Sequence, residues 1–179
     1  MRPLPRSLAG FSDASGADGP VRARWTKAIY AEWIRNVLRD RPDLTAAQLD
    51  RTRQLMDAHV RDAVVSGYEP LIETLVLPDP DDRHVLAAAI RAGASVIITY
   101  NLRDFPKAAL DPFSIEAQHP DAFIAHLFDV APEQVVAAAR RQRASLKHPP
   151  KTVDDYLDVL LRAELVQTTS HLRQMAELL

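Results

Sequence analysis

Five acidic or amide-bearing positions crowd into one short stretch of this chain. Asp79-Pro80-Asp81-Asp82 opens a run of helical character, and Asn101 and Asp104 follow a run of β-branched residues some twenty positions later. A helix that is antiparallel to the strand after it begins beside the carboxyl end of that strand. Asp82 is therefore expected close to Asn101 and Asp104. Converging carboxylates repel one another unless a cation neutralises them. Oxygen ligands without cysteine or paired histidine suit Mg²⁺ or Mn²⁺ better than zinc. The competing reading is structural: acids at a helix start cap free N–H groups, and Asn or Asp after a strand serves turn chemistry.

The elements that must hold these residues are legible around them. Val85 to Ile90 is apolar nearly all round, as in a buried helix, and Gly93 is placed to end it. Ser95-Val96-Ile97-Ile98-Thr99 lacks polar alternation, which suits a central strand of a parallel sheet. Helix, glycine, buried strand and polar loop together give the α/β alternation. Upstream, Thr26 is a candidate N-cap for a helix with Ile29, Trp33 and Val37 at core spacing, so Trp25 and Trp33 read as packing. Thr45 caps a second helix, Ala63 to Val65 suits a short strand, Tyr68 to Leu75 a helical turn, and Phe113 to Ala117 a last strand. Beyond His119-Pro120 only helical patterns follow, with Thr152 as another cap.

Residues 1–20, rich in Gly, Pro, Ser and Asp, read as irregular. The expected organisation is an irregular segment over 1–20, an α/β domain over 21–128 and a helical extension over 129–179.

Composition narrows the classes further. The chain has 179 residues, of which 47% are hydrophobic and 26% charged, as in an ordinary globular protein. The absence of cysteine excludes disulfides, thiolate metal sites and a cysteine nucleophile, and fits a reducing cytoplasm. No run is long and apolar enough to span a bilayer. A net charge of −2 gives no global basic field for nucleic acid, so contact with a polyanion must come from local patches. Candidates are Arg22, Arg24, Lys27, Arg35 and Arg39 around Glu32, and Arg140, Arg141, Arg143, Lys147 and Lys151 in the tail. The tail set reads as a solvated face or a partner contact, and His84 as structural or surface rather than substrate-binding.

The run DDRHVLAAAIRAGASVIITYNLRDF resembles the third and fourth acidic motifs of PIN domains, the fold of VapC-type ribonuclease toxins. WTKAIYAEWIRNV is similar to the helix that carries the family's glutamate, here Glu32. The likeness extends into the tail of a VapC-like subgroup, including LKHPPKTVDDYLDVL. It implies a PIN-like parallel sheet flanked by helices, with a C-terminal helical extension. It also implies an endoribonuclease with Mg²⁺ (or Mn²⁺) held by Glu32, Asp82 and Asn101 or Asp104, with Glu32, Asp82 and Asp104 catalytic. Asp79, Asp81 and Thr99 would support that group or serve as caps. The implied partners are RNA, a small antitoxin protein and a second copy of the chain, with no membrane.

The sequence departs from the family at its start. The usual first strand, ending in a further Asp, is not recognisable before Trp25, and Asp13 and Asp18 stand in Gly- and Ser-rich surroundings. With GC-rich codons, Pro5 to Pro20 reads in a shifted frame as an amphipathic helix similar to the one the family places there. The expectation is thus a PIN-like chain lacking its first strand, either active or reduced to binding an antitoxin or dimerising.

Overall fold

A computed structural model describes residues 7–12, 21–60, 62–147 and 149–179. They form two compact units, one ending at His119 and one covering 120–179. The boundary expected at 128/129 falls inside the helix Pro120–Val130. That helix opens on a proline, which is favourable in a first turn, and packs with the helices that follow it.

The first unit holds a four-stranded sheet of order β2-β1-β3-β4. Its strands are β1 (Ser7–Ser12), β2 (Arg22–Ala23), β3 (Val96–Thr99) and β4 (Glu116–Gln118). The parallel pairing is that of β3 with β4, as the unbroken apolar run of β3 predicts. The expected last strand over Phe113 to Ala117 begins later, because Asp111–Phe113 winds into a 3₁₀ turn first.

Ser7–Ser12 corrects the expectation of an irregular start without a strand. It pairs antiparallel with both β2 and β3, with a bulge between Ala9 and Phe11. The register sets Ser7 opposite Thr99 and Phe11 opposite Val96. The carboxyl end of β1 therefore lies at the opening of β3, not beside Thr99. Asp13 and Asp18 fall outside the described residues.

Helices α1 (Lys27–Asp40) and α2 (Ala46–His59) start at their expected caps: the Thr26 hydroxyl accepts from the Ile29 N–H at 3.1 Å, and Thr45 and Gln48 form a capping box. Ala63 to Val65 contributes a single parallel bridge, between Val64 and Trp25, rather than a strand. The expected turn after Tyr68 is α3 (Glu69–Ile72). Helix α4 (Arg83–Ala92) is buried from Val85 to Ala89 and ends on Gly93 at φ 62°, a left-handed conformation that glycine adopts without penalty. That turn reverses the chain into β3, and the short helix α5 (Lys107–Leu110) carries it on towards β4. Trp25, Ile29, Trp33, Leu86, Ile97 and Phe105 belong to one core, so both tryptophans pack as expected.

The second unit contains α6 (Pro120–Val130), α7 (Pro132–Ser145), α8 (Val153–Arg162) and α9 (Val166–Gln174), then a 3₁₀ turn at Ala176–Leu178. Its separate core includes Phe128, Val136, Leu157, Leu160 and Leu172. Thr152 caps α8 through a capping box with Asp155. The start of α9 lacks a side-chain cap of its own. Asp121 on α6 supplies one, accepting the Gln167 and Thr168 N–H groups at 2.9 and 2.8 Å. No helix among the described residues is long and apolar enough to cross a membrane.

Candidate metal centre

The first turn of α4 and the loop after β3 meet as the chain reversal at Gly93 requires. Asp79 precedes the 3₁₀ turn Pro80–Asp82, and its carboxylate accepts the Asp81 N–H at 2.9 Å. Asp82 stands at the junction of that turn with α4. Asp104 closes the 3₁₀ turn Leu102–Asp104. Each of Asp79, Asp82 and Asp104 offers a carboxylate oxygen within 4.8 Å of the others.

Electrostatics follow from this crowding. Burial, the hydrogen bond and charge of Asp104, and the charges of Asp79 and Glu32 together push the Asp82 carboxyl up to about 7. Among the described residues, no ion pair engages any of the three aspartates. Carboxylate oxygens gathered this closely, without an ion pair to offset them among the described residues, fit a hard divalent cation. The residues present therefore fit such a cation.

Asp82 and Asp104 come together. Glu32, half-buried on α1, contributes the smallest of the charges that raise Asp82 and lies outside the tight group of three. Its carboxylate accepts from the Asn36 side chain at 3.5 Å. Asn101 and Asp104, left undecided from the sequence, take different places: the Asn101 amide nitrogen donates to an Asp104 oxygen. The buried Thr99 hydroxyl accepts the Asn101 N–H at 3.0 Å and so shapes the same loop. Asp81 is exposed and offers its carbonyl to His84 Nδ1 at 2.7 Å. That partner makes Nδ1 the protonated nitrogen, while Nε2 is buried without a hydrogen-bond partner. His84 is an anchor of the turn. Asp79, expected to support the group or serve as a cap, both caps the turn and stands in the group of three.

Comparison with known proteins bears on this geometry. The PIN domain family model matches residues 7–103, more than half of the chain. The chain belongs to the PIN-domain family. The match takes in Glu32, Asp79, Asp82 and Asn101 and stops one residue before Asp104. A second family model, the VapC50 C-terminal domain, matches residues 120–174, within the second compact unit. The chain is also similar to a Mycobacterium tuberculosis (H37Rv) protein named Putative ribonuclease VapC50, with 44% identity over 98 residues. That alignment covers 55% of this chain and 57% of the relative, so it spans little more than half of either. No solved structure matches the chain. The α/β fold with C-terminal helices expected from the resemblance is therefore the fold of this PIN-domain protein.

Proposed function

We propose that the chain is an endoribonuclease of the VapC type, the toxin of a toxin–antitoxin pair, acting in the cytoplasm with Mg²⁺ or Mn²⁺. The observation that carries this reading is the cluster of Asp79, Asp82 and Asp104, with Asp82 raised to about 7 by burial and like charge. Family membership and the name of the mycobacterial relative support it. A divalent cation bound by Asp82, Asp104 and Asp79, with Glu32 nearby, would supply Lewis acidity and an activated water for in-line attack on an RNA phosphodiester. Asp82 and Asp104 would hold that cation together with Asp79. Asn101 would fix the Asp104 carboxylate, and Thr99 would hold the loop. The Glu32 carboxylate would accept the proton that the attacking water gives up. A small antitoxin would silence the site, and a second copy of the chain remains a candidate partner.

A second reading has one specific observation in its favour. The carboxyl end of β1 lies at the wrong end of β3 to add the acid that the family's first strand supplies. A PIN-like protein with an incomplete site would bind its antitoxin or dimerise without cutting RNA. RNA cleavage in Mg²⁺, abolished by EDTA and by Asp82→Asn, supports the nuclease. Folded protein that neither cuts RNA nor binds Mg²⁺ by calorimetry supports the binding-only form. Turnover of phosphomonoesters in place of RNA would contradict both.

A further inference from the structure

The C-terminal unit carries a groove of about 630 Å³ along α7 and the 3₁₀ turn at Ala176–Leu178. Its apolar surface comes from Val136, Ala137, Met175 and Leu178, the last 59% exposed. Arg140 and Arg141 line the groove in the second half of α7, and Glu133 lines it at the helix start. Neither arginine takes part in an ion pair among the described residues. Arg143, three residues on from Arg140, is spent differently. Its guanidinium donates to the Lys151 and Leu179 carbonyl oxygens at 2.8 and 2.9 Å and ties the unit together. The basic run therefore divides into one structural arginine and two uncommitted ones at the edge of an apolar trough.

We propose that this groove docks an amphipathic, acidic helix of a partner protein. The trough follows α7, about 20 Å long at the rise of an α-helix, which suits an apolar helix face laid alongside it. Two arginines against one glutamate leave the groove with excess positive charge, so the partner must bring carboxylates to the Arg140 end. RNA fits less well. The lining has no aromatic ring on which a base could stack, and Glu133 would repel a phosphate backbone. A second copy of the chain also fits less well. It would bring the same excess of arginine, and a concave face does not fill its own image. The inference concerns the second unit alone and does not rest on RNA cleavage by the first.

The test uses the full chain and three labelled probes: a synthetic leucine–glutamate amphipathic helix, its leucine–lysine counterpart, and a single-stranded RNA. Fluorescence anisotropy is expected to show the acidic helix binding about tenfold more tightly than the basic one. The double variant Arg140→Glu, Arg141→Glu should reverse that preference, and Leu178→Asp should weaken binding of the acidic helix. All three changed residues are exposed and far in sequence from the acidic cluster, and circular dichroism checks that the variants are folded. The proposal is overturned by equal affinity for the two helices, or by no binding of the acidic one. It is equally overturned if the arginine reversal abolishes RNA binding while leaving the acidic helix unaffected, or if Leu178→Asp dissolves a dimer seen by light scattering.

Discussion

The Asn101 side chain donates a hydrogen bond to the Asp104 carboxylate within one turn of chain. This separates two residues that compete for one role in the sequence. Asp104 faces Asp82 and Asp79, and Asn101 holds it there.

Asn101→Leu should therefore preserve the acidic cluster while loosening Asp104. Residues that orient metal ligands typically contribute about ten- to a hundredfold in affinity or activity. The expected outcome is a loss of that order in cation affinity by calorimetry. A loss as complete as that of Asp104→Ala would make Asn101 a ligand in its own right.

Asp82 predicts an unusual pH dependence. An aspartate titrates near about 3.9 when unfolded, and here the folded carboxyl is raised to about 7. Between those values the folded chain binds the extra proton, so stability falls as pH rises. In EDTA, melting temperature should fall most steeply between about pH 5 and about pH 6, and the slope should die away as pH rises through about 7. Asp82→Asn should flatten this slope, and Mg²⁺ should raise the melting temperature more at pH 8 than at pH 5. An unchanged slope in the variant would assign the effect elsewhere.

Asp121 has the opposite sign. Burial pushes its carboxyl up, but the Thr168 and Gln167 N–H groups at the start of α9 more than offset this and leave it lowered. Its contribution is thus full above the unfolded value of about 3.9 and lost as pH falls through the lower folded one. Asp121→Ala removes a charged acceptor from two N–H groups and should cost about 1–3 kcal/mol at neutral pH. Urea denaturation monitored on the helical signal measures it.

The stretch from Asp79 to Asp104 was readable because its signals are local: acids at a helix start, Gly93 at its end, then a β-branched run. Ser7–Ser12 was not. Its residues are mostly small with no alternation, and its extended form comes from pairing with β3, a long-range effect. The separate places of Asp79, Asn101 and Asp104 depend on side-chain directions that spacing does not carry. Glu32 sits beside the core residue Trp33 on α1, and its pull on Asp82 appears only once α1 is packed. The unit boundary is not legible in the sequence, because α6 is a helix like those around it and only packing shows which it joins.

Gly93 permits a simple check on the turn that brings α4 back into β3. Its φ is 62°, and an added Cβ would meet nothing within 4 Å. Gly93→Ala should therefore cost only backbone strain, about 1–2 kcal/mol, measured by denaturant midpoint. A much larger loss would mean that the turn is packed more tightly than its surroundings show.

The central claim is that Asp82 and Asp104 form a cation-dependent centre that cuts RNA, and the most direct measurement is cleavage of an RNA substrate by the full chain. Wild-type protein should cleave in Mg²⁺ or Mn²⁺ and stop in EDTA. Asp82→Asn and Asp104→Asn should each lower the rate by about a hundredfold or more, equivalent to at least about 2.7 kcal/mol of barrier. Folded wild-type protein that leaves RNA intact, or that cuts it as fast as the Asp82→Asn variant, would contradict the account.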